Sequence, residues 1–313
     1  MADPIPSRPE AMKATLTGDV FDDPNWIVER KLDGYRCVAS RDGGSVALES
    51  RSYLSLNGRY PEIATALDDD PCKRFVVDGE IVGMVRGKST FEALQQRGHD
   101  RGVRIAYYVF DVLWLDGEDM RDRPLHERKT ALRKALRFGG GTVRWTPYRR
   151  AERGEDLLAD ACRRGWEGLI AKRLDRPYQG RRSGDWLKWK CSAEQELVIG
   201  GYTAPKGSRQ AFGALLVGYY DGGELRYAGK VGTGFDQREL RDLAERMAPL
   251  ERATPPFEAG DPPARGTTWV KPELVAQIAF TEWTRDGSLR HPRYLGLRDD
   301  KPARDVVRER PPG

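Results

Sequence analysis

The sequence is poor in the residues that build metal centres and disulfide frameworks. Its 313 residues include three histidines and four cysteines, and Cys37, Cys72, Cys162 and Cys191 form no C-x-x-C pair and do not cluster with the histidines. A zinc site or a disulfide framework is therefore not expected, and free thiols in a reducing cytosol are. No run approaches the roughly 18 consecutive apolar residues of a membrane span. The polar, proline-bearing residues 1–10 lack a signal-peptide core. A soluble, cytoplasmic protein that does not enter a membrane is expected, and internal repeats and low-complexity tracts are absent.

What is present is ordinary globular material: 39% hydrophobic and 32% charged residues, in a chain long enough for two domains. The net charge of +5 is uneven, because residues 193–313 are balanced and the basic excess lies in residues 1–192. Such an excess suits a polyanionic partner, although solvated charged faces give the same sum.

Strand-like runs at 35–40, 45–50, 75–82, 105–112, 168–172 and 185–190 alternate with two helical patterns. One helix opens at Pro124, with Leu125, Leu132, Ala135 and Leu136 on one side, and closes at Gly139-Gly140-Gly141; the other runs through Leu157, Leu158, Ala161 and Cys162 to Gly165. This is an α+β pattern with antiparallel sheets. After Cys191 the texture becomes β-rich, with strands at 197–203, 214–220 and 225–231, a turn at Asp221-Gly222-Gly223, and a helix carrying Leu240, Leu243, Ala244 and Met247. A proline- and glycine-rich loop at 254–266 and a strand at 275–284 follow. The boundary is placed near residue 192, and 193–313 is expected to be a small Greek-key barrel such as an OB-fold.

Five constellations carry chemistry. In Lys31-Leu32-Asp33-Gly34-Tyr35-Arg36, with Glu29 just before it, a lysine sits among charges that can tune it. An unperturbed lysine, pKa ~10.4, is neutral in about one molecule in a few thousand at pH 7, and only the neutral amine attacks phosphorus. A bound divalent metal, with Arg36 and lysines from elsewhere in the chain, is expected to disfavour the ammonium form. In Val76-Val77-Asp78-Gly79-Glu80-Ile81, strand alternation sends Asp78 and Glu80 to one face and Val77 and Ile81 to the core. Paired carboxylates want a cation, and Glu167, opening Glu167-Gly168-Leu169-Ile170-Ala171-Lys172, adds a third oxygen donor that suits Mg²⁺. Trp186-Leu187-Lys188-Trp189-Lys190 repeats the alternation with opposite charge, so that Lys188 and Lys190 form an anion-binding face; a basic edge strand is the plainer alternative. Phe110, in an aromatic strand, is either a purine-stacking ring or core, and the Arg298-Asp299-Asp300-Lys301 cluster is either a pyrophosphate ligand or a solvated tail.

In this order, over nearly the whole chain, these motifs resemble the covalent nucleotidyltransferase superfamily of ATP-dependent DNA ligases and RNA capping enzymes. The resemblance implies a nucleotidyltransferase (adenylation) domain, residues 1–192, of antiparallel sheets with flanking helices, followed by an OB-fold domain, 193–313. It implies that Lys31 is the adenylated lysine and Glu29 the group that recognises the adenine amino group. Arg36 and Arg51, the latter in Ser50-Arg51-Ser52, would contact adenylate ribose and phosphate on the nucleotide or nick; the family pattern has asparagine where Ser52 stands. Glu80 would bind ribose or metal, Phe110 would stack on adenine, Glu167 would serve the metal, and Lys188 and Lys190 would grip the α-phosphate. Arg298, Asp300 and Lys301 match the last motif, which orients the pyrophosphate leaving group.

More narrowly, Asp175-Arg176-Pro177-Tyr178, the run from Gly180 to Lys188, Ile199-Gly200-Gly201-Tyr202 and Pro205-Lys206-Gly207-Ser208 resemble the ligase module of bacterial ligase D. That family seals double-strand breaks by end joining with the Ku protein, often fused to polymerase and phosphoesterase modules. The 313 residues contain neither module, and both an excised module and a stand-alone relative fit. The implied cofactors are ATP and Mg²⁺ or Mn²⁺, and the implied partner is nicked or broken double-stranded DNA in a nucleoid-associated cytoplasmic setting. An RNA ligase, a GTP-using capping-type enzyme, and a non-catalytic nucleic-acid binding module are the alternatives. The joint presence of Lys31, Glu80, Glu167, Lys188 and Lys190 speaks against the last, since binding alone would not need all five.

Overall fold

The computed structural model describes residues 3–85, 88–90, 94, 102–139, 141–191, 193–205, 211–284 and 286–309. The chain divides into two compact units, Met1–Cys191 and Ser192–Glu309. Both are built mainly from antiparallel strands, with few helices, as an α+β chain should be.

Two sheets make the first unit. One has the order β1-β12-β11-β2-β10, from β1 (Lys13–Leu16), β2 (Asp23–Arg30), β10 (Tyr148–Ala151), β11 (Gly168–Arg173) and β12 (Arg182–Lys190); only β1 and β12 run parallel. The other has the order β4-β3-β5-β7-β8, from β3 (Tyr35–Asp42), β4 (Ala47–Ser50), β5 (Arg74–Val85), β7 (Arg104–Leu115) and β8 (Glu118–Asp119), with β6 (Lys88–Thr90) and β9 (Val143–Trp145) added at β5 and β7. Its outer face packs against α1 (Pro61–Asp68) and α2 (Leu125–Ala135) in a core that includes Cys37, Ile63, Leu67, Val77, Ile81, Val109 and Leu132. Val77 and Ile81 lie in that core as alternation requires.

β2 escapes sequence reading because it is buried on both faces. Trp26 and Val28 enter a cluster with Leu169, Ala171 and Trp189, while Ile27 and Glu29 are buried on the opposite side, so no apolar–polar rhythm marks the strand. α2 also differs from expectation, ending at Ala135 rather than at the glycine run. Leu136 turns extended (ψ 150°) and is buried, and Phe138 packs on Trp145 with ring centroids 5.6 Å apart.

One expectation is overturned outright. Cys162 and Cys191 form a disulfide across 29 positions of sequence, with Cα atoms 5.3 Å apart. α3 (Gly154–Arg163) packs on β11, and β11 pairs with β12, which brings the two thiols together without any local motif. Cys37 and Cys72 are free.

The second unit is the C-terminal OB-fold. Its long first strand, β13 (Ala193–Thr203), pairs along different stretches with β14 (Leu215–Asp221), β17 (Thr267–Val270) and β18 (Val275–Phe280), and β15 (Glu224–Val231), β16 (Glu251–Arg252) and β21 (Arg293–Leu297) complete a seven-stranded sheet. Sharing one strand among three partners is what curls a sheet toward a barrel. α4 (Gln237–Met247) starts at a reciprocal cap: Asp236 Oδ1 accepts from the Glu239 backbone N–H at 2.7 Å, and Glu239 Oε2 accepts from the Asp236 N–H at 2.8 Å. Leu240, Leu243 and Met247 then face the core. The expected strand at 275–284 is split, since the chain bends at Thr281 before β19 (Glu282–Trp283), which pairs with β20 (Leu289–Arg290). Of the Pro205-Lys206-Gly207-Ser208 motif, Lys206, Gly207 and Ser208 lie outside the described residues.

Candidate active site

Strand register assembles the site before any side chain is considered. Residues directly opposite one another in a sheet share a face, so Ile27, Lys172 and Trp186 form one row and Glu29, Ile170 and Lys188 the next. The Lys31 N–H donates to the Gly168 carbonyl at 2.9 Å, and Gly168 is opposite Lys190, which adds a third row on the same face. In the second sheet, Arg36, Glu80 and Tyr108 stand in one row and Val38, Asp78 and Asp111 in another. Phe110 meets Trp186 edge-on at 6.0 Å, joining the two faces.

Two glycines allow this closeness. At Gly34 a Cβ would sit 2.0 Å from the Ile81 carbonyl oxygen, so the Asp33-Gly34 turn can approach β5 only without a side chain. Gly168 has φ +149°, and a Cβ there would lie 2.0 Å from the Trp189 carbonyl oxygen.

Lys31 forms an ion pair with Glu167, and their side chains are 19% and 7% exposed. Burial alone would push the ammonium toward neutrality, but the Glu167 carboxylate, with Asp33 and Glu80 behind it, outweighs burial and raises the Lys31 pKa above the ordinary lysine range. Carboxylates thus dominate around Lys31, and Arg36, one of the cations expected to disfavour its ammonium form, is paired elsewhere. Arg36 grips Asp78 in a two-pronged pair of 2.5 and 2.6 Å, and Tyr178 donates to the same carboxylate at 2.7 Å. Asp78 is fully buried, so the cation that the Asp78–Glu80 face calls for is, at Asp78, an arginine. Glu80 acts electrostatically on both Lys31 and Arg36.

Glu29 is 2% exposed and is held by two lysines, Lys129 from α2 and Lys172 from β11; Lys172 Nζ lies 2.7 Å from Oε2. Lys172 sits over the rings of Phe110 and Trp186 at 4.2 and 3.9 Å, while Arg36 lies 4.6 Å from Phe110. Phe110 is therefore buried among cations and aromatics in the core that contains Tyr178 and Trp186. Burial pushes Lys172 down to about 8, with the Lys129 ammonium adding to the effect against Glu29 and Asp111. Neither Lys129 nor Lys172 was singled out from sequence: Lys129 belongs to no motif, and Lys172 closes an apolar strand. A cation amid apolar residues on a strand was the one available signal for Lys172.

Arg51 lies on the turn after β4, where Ser50 Oγ and Ser52 Oγ are 3.2 Å apart and Tyr53 has φ +61°. Its Nη2 is buried without a hydrogen-bond partner. Arg298 and Lys301 belong to the second unit, where Arg298 pairs with the buried Asp300 at 2.9 Å and Lys301 with Glu196 at 2.7 Å. Among the described residues no three His, Cys, Asp or Glu side chains gather to hold a metal ion. Glu80 and Glu167, both acting on Lys31, are the carboxylate set on offer. That set fits an ion taking one or two protein carboxylates and completing its shell with substrate phosphates.

Residues 2–190 match the family described as ATP dependent DNA ligase domain, and residues 208–301 match the ATP dependent DNA ligase C terminal region. The multifunctional non-homologous end joining protein LigD of Pseudomonas aeruginosa is 43% identical over 296 residues, covering 92% of this chain and 35% of that protein. The Mycobacterium tuberculosis LigD DNA repair protein is 40% identical, covering 91% and 37%. The chain thus spans about a third of the length of these curated relatives. Among solved structures, mycobacterial DNA ligase D complexed with ATP and MES aligns with a TM-score of 0.66 at 36% identity, over 96% of this chain and 98% of that one. The ligase domain of M. tuberculosis LigD aligns with a TM-score of 0.52 at 38% identity, again over 96% and 98%.

Proposed function

This chain belongs to the ATP-dependent DNA ligase family, and from that membership we propose that it seals breaks bearing a 5′-phosphate and a 3′-hydroxyl in double-stranded DNA, in repair of double-strand breaks by end joining. Lys31 Nζ attacks the α-phosphorus of ATP, pyrophosphate leaves, and a lysine–AMP phosphoramidate forms. The 5′-phosphate oxygen of the break then takes AMP from Lys31, giving a DNA-adenylate. The 3′-hydroxyl finally attacks the 5′-phosphorus, AMP departs and the phosphodiester is complete.

The observation that carries this reading is the partly buried Lys31–Glu167 pair in a row with Lys190 and under the electrostatic influence of Glu80. Lys188 and Lys190 are one strand step apart on that face and would spread the charge of the α-phosphate as it reacts. Glu167 and Glu80 would hold Mg²⁺ or Mn²⁺, which, when bound, supplies charge neutralisation at the phosphates and at Glu167. Lys31 keeps its proton while Glu167 is its partner, so proton loss at Nζ is tied to breaking that pair. Glu29 would accept from the adenine amino group, and Arg36 and Arg51 would contact ribose and phosphates. Stacking of adenine on Phe110 would require Lys172 to shift from the ring. Arg298 and Lys301 would serve the pyrophosphate in the first step.

End joining brings Ku and partner polymerase and phosphoesterase activities as expected collaborators, in a cytoplasmic, nucleoid-associated setting. Among the described residues no helix is long and apolar enough to cross a membrane. The test is a nick-sealing assay beside the adduct assay. Lys31→Ala should lose the adduct yet still seal a nick supplied already adenylated; loss of both would assign the chemistry elsewhere.

A further inference from the structure

Helix α2 contributes a buried lysine that none of the motifs contains. Lys129 is 2% exposed, its ammonium pairs with Glu29 Oε1, and it lies over the rings of Trp145 and Tyr148 at 4.9 and 5.4 Å. The other Glu29 oxygen faces Lys172. Tyr148 of β10 is directly opposite Glu29, Lys172 comes from β11, and α2 supplies Lys129. Asp111 of β7 is committed to Arg128 through two bonds of 2.7 and 2.9 Å. Glu29 therefore has an ammonium beside each oxygen, from two different elements, and the hydrogen bond that Lys129 Nζ donates to Oε1 sets the direction of its carboxylate.

A carboxylate with fixed orientation discriminates between purines. It accepts from an amino group at the purine 6-position and opposes a carbonyl oxygen there, whereas a carboxylate free to swing can turn away from the mismatch. We propose that Lys129 is a positioning residue for nucleobase choice, holding Glu29 aimed as an acceptor for the 6-amino group of ATP. This rests on the reading of Glu29 and ATP given above. Lys129 touches the carboxylate rather than the nucleotide, so its effect passes through Glu29.

The experiment measures kcat and KM for adduct formation by the full chain with ATP, GTP and purine riboside triphosphate, which lacks any 6-substituent. The unmodified chain should prefer ATP over both. Lys129→Met should shrink the preference for ATP over the purine triphosphate about tenfold, chiefly through KM for ATP, and Lys129→Arg, which still donates, should restore it. Equal losses for all three nucleotides, or an undiminished preference in Lys129→Met, would overturn the proposal. Lys129→Gln gives the same reading should the methionine variant not fold by circular dichroism. An unmodified chain that forms no adduct with any nucleotide refutes the ligase reading instead, so the two failures are distinct.

Discussion

Two charge clusters stand two residues apart at the end of β2, and they are balanced in opposite directions. At Lys31 one ammonium faces the carboxylates Glu167, Asp33 and Glu80, and its proton is held more tightly than in an ordinary lysine. At Glu29 one carboxylate faces the ammoniums Lys129 and Lys172, and burial pushes Lys172 down to about 8. Desolvation acts against the ammonium form of both Lys31 and Lys172, so it does not separate them; the balance of charges within reach does. The acid-rich end suits a nucleophile kept in reserve until its counter-ion is drawn off. The lysine-rich end suits a fixed acceptor.

Substitutions at the acid-rich end should have the largest effects. Lys31→Ala should lower adduct formation by at least about a thousandfold in a single-turnover assay, while sealing of an adenylated nick persists. Glu167→Gln should lower adduct formation about a hundredfold. Lysine-selective NMR of the same variant should show the Lys31 midpoint moving down, because the group that raises it is gone; an unmoved midpoint would mean Glu167 does not set the protonation of Lys31. Next in size is the Cys162–Cys191 bridge, which ties α3 to the residue after Lys190. Cys162→Ser should cost about 3 kcal/mol in denaturant unfolding, and reducing agent should have a matching effect on the unmodified chain but none on the variant.

The smallest effect belongs to Lys172. Its folded pKa of about 8 lies below the unfolded lysine value of ~10.4, so across that window the unfolded chain binds more protons and stability rises with pH. Lys172→Met should remove of order 1 kcal/mol of that rise between about pH 8 and about pH 10, measured by urea unfolding. An equal rise in both proteins would place the titration on another group.

What the sequence made legible follows from periodicity. The lysine pair at 188 and 190, the carboxylates at 78 and 80, and the lysine beside Asp33-Gly34 sit on short alternating runs or tight turns, where spacing alone sets direction. Residues joined across the fold were hidden. Lys129 and Arg128 stand in no motif, yet both turn inward to strands, Arg128 to Asp111 and Lys129 to Glu29, 100 positions away. The bridge between Cys162 and Cys191 depends on helix-on-strand packing that no spacing rule encodes. Of the cations expected to act on Lys31, Arg36 was hidden in the same way, because it is paired with Asp78, forty-two positions on.

The most direct measurement is the intact mass of the chain after incubation with ATP and a divalent metal ion, before and after acid. Gain of one AMP that acid removes, and that is missing in Lys31→Ala, is the expected result, since a P–N bond is acid-labile. An unchanged mass, or an adduct that survives acid or persists without Lys31, would contradict a lysine nucleophile at position 31.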